Sequence, residues 1–447
     1  MIKRKLSAIA EMAGGSVDQQ FGALEIAGVA IDSRKIADGV LFVPFKGERT
    51  DGHRFVEQAI KSGAAASFWQ RDVEEPPAGL PLIFVDDCQQ ALQQLSSCYL
   101  QQVNPKVIGI TGSNGKTTTK DMVSTVLSQD FKVKKTIGNY NNEIGLPLTI
   151  CQLDDDTEVS ILEMGMSGFR EIALLSTIAR PDVAVITNIG ESHMRDLGSR
   201  EGIAKAKFEI TEGLNGLFIY DGDEPLLKPH AEHYDGDKAS LGLNDDNMHQ
   251  ITSVNMTDGS IHFKVTPGET VFTVPMLGIH NARNAAIAIV IGRYFGLTDD
   301  RINANLQHLE MTGMRMEQIN GPHGSLLIND AYNASPTSMK AAIDTVENMT
   351  GDKYIVLSDV LELGPDEEAY HREVGKYFEG RHMTVLTVGS AAKYIHEEAA
   401  AFTEAHHFED KAAIADYLKP RLHKGVSVLF KASRGMELET IIENILQ

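Results

Sequence analysis

The run Thr111-Gly112-Ser113-Asn114-Gly115-Lys116-Thr117-Thr118 gathers the groups that hold a polyphosphate. Gly112 and Gly115 let the backbone curl so that its N–H groups, with those of Ser113 and Asn114, converge on phosphate oxygens. Lys116 supplies positive charge for the β- and γ-phosphates, and the Thr117 hydroxyl is a ligand for Mg²⁺, with Thr118 continuing the run. The segment follows an apolar stretch, Lys106–Thr111, and opens a helical one, whose N-terminus adds partial positive charge. The spacing departs from the general pattern G-x-x-x-x-G-K-S/T, which needs a glycine where Ile110 stands. The dinucleotide pattern G-x-G-x-x-G also fails, because Thr111 occupies its second glycine position. The alternative is a glycine-rich turn with an incidental Lys-Thr. A nucleoside triphosphate site uses every residue of the run.

Phosphoryl transfer also needs oxygen ligands for a divalent ion. Glu163 closes the apolar run Val159–Leu162, where a carboxylate faces the ligand crevice of a parallel sheet, or else is a solvated residue ending a strand. Asn281 and Asn284 lie one helical turn apart, and their amides suit the donor and acceptor edge of adenine, although a single Asn could equally be a helix cap. Lys205 and Lys207 are two apart on a helical stretch, so at most one faces a site. Lys431 and Arg434 end the last apolar run and are candidate contacts for a carboxylate or for phosphates.

Positioning these groups requires strands and helices in alternation. Val40–Val43 and Leu82–Val85 read as strands in residues 1–104, with a helix over Arg54–Ser62 and a surface loop over Val73–Pro81. From 105 to 313, Lys106–Thr111, Val159–Glu163 and Val183–Asn188 are buried-strand runs, with a helix over Lys116–Ser128, which predicts a parallel sheet covered by helices. From 314 to 447, Leu326–Asp330, Tyr354–Leu357, Val385–Val388 and Val426–Phe430 alternate with helices such as Ser338–Met349, a second doubly wound unit. The expected fold is therefore α/β, with a small N-terminal α/β domain (1–104), a central phosphate-loop domain with a parallel sheet (105–313) and a C-terminal Rossmann-like domain (314–447), each long enough to bury its own core.

The chain has 447 residues and a net charge of −21, which argues against a nucleic-acid binder and confines the basic partners of an anionic substrate to a few clefts. The cysteines, Cys88, Cys98 and Cys151, form no C-x-x-C pair and fit a reducing, cytoplasmic compartment. The basic start, Met1–Lys5, reads as a cap on a first amphipathic helix, since the apolar run after it is too short for a signal peptide. No stretch reaches the ~20 apolar residues of a membrane span, so no membrane insertion is expected.

The shortened phosphate loop after a small N-terminal domain resembles the Mur ligase family, and the similarity extends through all three domains. That resemblance implies an ATP-dependent ligase that joins a carboxylate to an amine through an acyl-phosphate. It implies two Mg²⁺ ions held by Thr117, Glu163 in Glu163-Met164-Gly165-Met166, and His193 in the T-N-x-x-x-x-H run from Thr187. It implies that Lys207, in Ala206-Lys207-Phe208-Glu209-Ile210, carries CO₂ as a carbamate, which requires a neutral amine and hence a depressed pKa. The run Gly278–Ala286 resembles the family's adenine segment and brings Asn281 and Asn284 to the base. Arg315 is implied to reach the γ-phosphate on domain closure, and Asp330 to hold the ribose side. The catalytic set is thus Lys116, Glu163, His193, Lys207 and Arg315.

Within the family, Asp32-Ser33-Arg34, Gly39–Gly47 and Asp51-Gly52-His53 resemble the UDP-binding domain of the third- and fourth-step members. Folylpolyglutamate synthases lack that domain. The substrate contacts implied are Ser33, Arg34, Gly47, Asp51, His53, Asn139, Asn142, Asn333, Lys431 and Arg434. The D-N-P-R clamp of one third-step class is absent. Asp330–Pro336 and Ser358–Gly364 instead resemble the members that add D-alanyl-D-alanine to UDP-N-acetylmuramoyl-tripeptide, in a monomeric enzyme. Two departures stand out: Ser358 where those members have glycine, and Phe169-Arg170 where they read R-G before Glu171-Ile172. Two alternatives stay open: a third-step ligase adding one amino acid to the dipeptide, and an ATP-binding regulatory protein without ligation.

Overall fold

The computed structural model describes residues 1–447 except Glu48, Arg49, Ser192, His193, Asp258 and Met311. Three larger sheets follow one another along the chain. The first has five short strands in the order Ser16–Val17, Leu82–Val85, Ala66–Gln70, Leu41–Phe42, Val29–Ala30, parallel except at the Ser16–Val17 edge. Lys3–Lys5, expected as a cap on a helix, is a strand paired antiparallel with Glu25–Ala27; the helix follows at Leu6–Met12. The stretch Arg54–Ser62 begins as a 3-10 turn, Gly52–Phe55, and becomes α-helical over Val56–Lys61.

The central sheet has nine strands, and Lys106–Thr111 lies between Val159–Glu163 and Val183–Ile186, all parallel. These strands are almost wholly buried, which explains their unbroken apolar runs. The helices after the first two leave on opposite faces. Met122, Val123 and Val126 of helix Lys116–Leu127 pack with Ile108, Ile110 and Ile161. Ile172 and Leu175 of helix Glu171–Ala179 pack with Leu162, Ala184 and Ile186 on the other side. A crevice therefore opens at the carboxyl ends of Lys106–Thr111 and Val159–Glu163, where ligands bind in such sheets. The expectation of an all-parallel sheet is corrected at one edge. His249–Thr257, Ser260–Val265 and Phe272–Val274 form an antiparallel meander there, its alternating half-exposed residues matching a sheet with one wet face.

The third sheet has the order Glu317–Asn320, Leu326–Asn329, Val426–Lys431, Asp352–Leu357, Thr384–Val388, Ala405–Phe408. Its last strand in sequence inserts between the second and third, so Lys431 ends beside Asn329 and Asp330. Only the Glu317–Asn320 edge is antiparallel.

The N-terminal unit keeps one core cluster of its own, around Val40, Phe42, Val56 and Trp69, and shares another with the central unit. Leu92, Leu95 and Tyr99 of helix Cys88–Val103 belong to one continuous cluster with Leu146, Ile150 and Ile172 of the central unit. Each such side chain contributes roughly 1.5–3 kcal/mol on burial. The Tyr99 hydroxyl donates to the Leu153 carbonyl at 2.7 Å. No helix among the described residues is long and apolar enough to cross a membrane.

Candidate active site

The loop before helix Lys116–Leu127 takes the shape its glycines allow. Gly112 (φ +151°) and Gly115 (φ +81°) are in conformations that L side chains rarely adopt. Gly115 is the residue from which the helix starts. A Cβ on Gly112 would lie 1.8 Å from Thr187 Oγ1, and one on Gly115 2.7 Å from Asn284 Oδ1. The neighbouring strand end fastens the loop: Ser113 N–H donates to the Asn188 carbonyl at 3.1 Å and Asn114 N–H to Asn188 Oδ1 at 2.9 Å. Lys116 Nζ curls back to the Gly112 carbonyl at 2.7 Å. Burial pushes its ammonium down in pKa, with nearby Glu163 opposing. Ser113 Oγ, Asn114 Nδ2 and Arg315 Nε are buried without a protein partner, and each can donate. A cradle of donors without acceptors fits a polyphosphate, whose oxygens only accept.

Glu163 stands at the end of its strand, buried, beside the loop. Its Oε2 accepts from Thr117 Oγ1 at 2.9 Å and its Oε1 from Asn141 Nδ2 at 3.0 Å. Lys120 Nζ is 3.6 Å from Oε2. A carboxylate and a hydroxyl beside a phosphate cradle fit Mg²⁺, which takes one or two protein oxygens and completes its shell with phosphate and water. Among the described residues no three His, Cys, Asp or Glu side chains gather to hold a metal. His193 lies outside the described residues.

Of the lysine pair on helix Arg200–Phe208, Lys207 is buried and lines the cleft, whereas Lys205 is exposed over the Phe169 ring. Burial, and then the charge of Lys116, hold the Lys207 amine well below the usual lysine range. A neutral buried amine is the form that can react with CO₂.

The C-terminal unit closes the cleft from the opposite side. Arg315 donates to Thr117 Oγ1 at 3.0 Å, with its guanidinium 4.2 Å from the Tyr332 ring centroid. Asp330 Oδ2 accepts from Lys431 Nζ at 2.6 Å, and Lys431 also donates to the Asn333 carbonyl at 3.2 Å. Ser335 Oγ donates to Asn114 Oδ1 at 3.2 Å. One cavity of about 180 Å³ runs from the phosphate loop past Asn281 and Asn284 to Asp330 and Lys431. A second, of about 620 Å³, is lined by Lys116, Glu163, Lys207 and Arg315 together with Asn139, Asn142, Asn333 and Arg434. Arg434 is half-exposed and paired with Glu439.

Family models cover most of the chain: "Mur ligase family, catalytic domain" matches residues 25–99, "Mur ligase middle domain" 110–292, and "Mur ligase, glutamate ligase domain" 314–434. The UDP-N-acetylmuramoyl-tripeptide--D-alanyl-D-alanine ligase of Bacillus subtilis (strain 168) is 48% identical over 100% of this chain and 99% of its own. The chain belongs to the Mur ligase family. The Escherichia coli (strain K12) ligase of the same name is 33% identical over 99% of this chain and 98% of its own. Among solved structures, MurF from Acinetobacter baumannii superposes with a TM-score of 0.92 at 29% identity, covering 100% of this chain and 99% of that one. MurF ligase from Thermotoga maritima in complex with ADP gives 0.84 at 30% identity, covering 94% and 96%.

In this Mur ligase the five N-terminal candidates stand apart from both cavities. Arg34 is exposed and forked onto Asp32, with Ser33 between them half-buried. His53 is buried: its Nδ1 is 2.6 Å from Asp51 Oδ1, and its Nε2 accepts the Gln70 N–H at 3.1 Å. Both ring nitrogens are thus used inside the unit, and His53 lines a separate hollow there with Arg54, Glu57 and Trp69. The sequence reading missed Asn141, Lys120 and Thr136, which fix Glu163. It also missed Arg283, which pairs with Asp221 and Asp223 and ties the asparagine-bearing helix Ile279–Tyr294 to the central sheet. Burial pushes Asp221 up to about 6 despite Arg283. The available signals were the place of Asn141 between the candidates Asn139 and Asn142 and that of Arg283 between Asn281 and Asn284. Arg170 adopts φ +70°, in the left-handed region; its N–H is held by Glu209 Oε1 at 3.0 Å.

Proposed function

We propose that this chain joins D-alanyl-D-alanine to UDP-N-acetylmuramoyl-tripeptide with hydrolysis of ATP, giving UDP-N-acetylmuramoyl-pentapeptide, ADP and phosphate in peptidoglycan precursor synthesis. The observation that carries the reading is the convergence of Lys116, Glu163, Lys207 and Arg315 on one cleft between the central and C-terminal units. The relatives' names supply the substrates.

We assign 1–104 to the UDP end of the substrate, 105–313 to ATP and 314–447 to closure over both. The triphosphate lies on the 112–117 cradle, with the base toward Asn281 and Asn284 and the ribose side toward Asp330. The tripeptide's terminal carboxylate attacks the γ-phosphorus, and the bond to the β-phosphate oxygen breaks. Lys116 and Arg315 meet the charge that gathers on the transferring group. The amine of D-alanyl-D-alanine then attacks the acyl carbon, phosphate leaves, and the amine loses a proton. Asn139, Asn142, Asn333, Lys431 and Arg434 are the candidates to orient the two reactants, and closure of the C-terminal unit over the cleft would protect the acyl-phosphate from water. Mg²⁺, held by Thr117 and Glu163, would offset the crowding of negative oxygens. A CO₂ adduct on Lys207, with His193, is our candidate for a second metal site. The reaction belongs in the cytoplasm, the compartment that supplies ATP, with the chain acting as a monomer.

The test supplies the protein with ATP, Mg²⁺, UDP-N-acetylmuramoyl-tripeptide and D-alanyl-D-alanine, and follows ADP and the product mass. ADP release that needs both substrates, with a pentapeptide product, is expected. Turnover of the dipeptide with a single amino acid would make the chain a third-step ligase. ATP binding with no amine-dependent turnover would leave only a regulatory role.

A further inference from the structure

The chain passes from the central to the C-terminal unit through Thr312–Met316, and the hydrogen bonds of that linker change sides at one residue. Thr312 N–H donates to Asp121 Oδ2 at 2.9 Å, on helix Lys116–Leu127. From Met314 onward the backbone is tied to the C-terminal unit. Met314 N–H donates to Glu317 Oε2 at 2.9 Å, Met316 N–H to Asp330 Oδ1 at 3.1 Å, and Tyr332 N–H to the Met314 carbonyl at 3.3 Å. Gly313 lies between the two sets. A Cβ there would meet nothing nearer than 3.6 Å, so no neighbour packs tightly against this residue.

Asp121 is fully buried, and both of its oxygens are used: Oδ1 accepts from Lys135 Nζ at 2.7 Å, and Oδ2 takes the linker. A buried carboxylate requires such partners, and the ionised acceptor makes the Thr312 bond stronger than one between neutral groups. Asp121 sits one helical turn beyond Thr117 on the same face. Thr117 is the residue that Arg315 reaches from the other side of Gly313. The linker is therefore laid along the phosphate-loop helix and touches it at two points a turn apart, one on each side of the glycine.

We propose that Asp121 is a positioning residue for Arg315: it clamps the linker at Thr312, so that the C-terminal unit turns about Gly313 and carries the guanidinium to and from Thr117. The inference rests on the proposed ligase reading, because Arg315 matters only if phosphoryl transfer occurs at this loop. Without the clamp the linker would slide along the helix, and closure would no longer deliver Arg315 to a fixed place.

The experiment compares kcat and KM for Asp121→Ala, Arg315→Ala and the double variant, using the full chain with ATP and both substrates. If Asp121 acts through Arg315, Asp121→Ala lowers kcat tenfold or more, with a smaller change in KM for the UDP substrate. In the Arg315→Ala background it then lowers kcat no further. Multiplying losses overturn the proposal. Because Asp121→Ala empties a buried charge site, Thr312→Pro and Thr312→Ala form a second pair. Thr312→Pro removes the donated N–H, besides fixing φ, and should lose kcat as Asp121→Ala does, while Thr312→Ala keeps the N–H and should match the parent. Parent-like kcat in Thr312→Pro overturns the clamp. Absence of turnover in the parent protein would instead defeat the ligase reading, so the two failures are separate.

Discussion

Arg315 and Thr117, 198 positions apart in the chain, share a hydrogen bond of 3.0 Å, and the same hydroxyl donates to Glu163 at 2.9 Å. One side chain thus joins the C-terminal unit, the phosphate-loop helix and the acidic strand end. In a protein of net charge −21, Lys116, Lys207, Arg315, Lys431 and Arg434 line the cavities where the two units meet.

Replacing Arg315 removes a cation that touches the loop only when the units are together. Arg315→Ala should lower kcat by about a hundredfold or more, in the range of a lost transition-state donor. Nucleotide affinity, read as the ADP-induced rise in melting temperature, should change much less. Arg315→Lys should not restore the rate, since a single ammonium lacks the planar fork. A parent-like rate in either variant would remove Arg315 from the mechanism.

Gly112→Ala places a methyl group 1.8 Å from Thr187 Oγ1 on a backbone with φ +151°. The loop must shift, and its N–H groups then miss the phosphates. Nucleotide binding by calorimetry should fall at least tenfold, with the overall fold intact by circular dichroism. Unchanged affinity would mean that the phosphates are not bound by this backbone.

The buried Lys207 amine is held well below its ordinary pKa by burial and by Lys116. The unfolded chain therefore binds a proton at this position that the folded chain refuses. Lys207 lowers stability at pH values below its unfolded pKa, near 10.4, and this cost shrinks as pH rises toward that value. In CO₂-free buffer, Lys207→Met should melt above the parent at neutral pH, with the gap narrowing at higher pH. A gap independent of pH would mean that the amine is charged in the folded protein. Labelled ¹³CO₂ should give the parent, and not the variant, a carbamate carbon resonance.

Arg170 holds a left-handed conformation that costs a side chain about 1–2 kcal/mol. Its exposed pair with Glu212 is screened by solvent and offsets little of that cost. Arg170→Gly should leave the denaturation midpoint within about 1 kcal/mol of the parent, whereas the β-branched Arg170→Val should destabilise clearly. Equal midpoints for the two would show that the backbone relaxes at this position.

The phosphate loop was legible because it is local: glycine spacing, a preceding buried strand and a following helix all fall within one short stretch. The strands Lys106–Thr111 and Val159–Glu163 were legible because a parallel strand buried on both faces is apolar throughout. The antiparallel meander His249–Val274 was not, because its residues alternate and one face is wet.

By itself the sequence determined which residues could bind phosphate, which strand end carried a carboxylate, and that at most one lysine of a helical pair could turn inward. Tertiary structure alone decided that Lys207 is the buried one, that Asn141 and Lys120 hold Glu163, and that Arg315 meets Thr117. It also decided that His53 is consumed by its own domain. The division follows from range. Backbone conformation and strand burial are written in neighbouring residues, whereas a hydrogen bond across 198 positions depends on how separate sheets pack and where the chain between them is anchored.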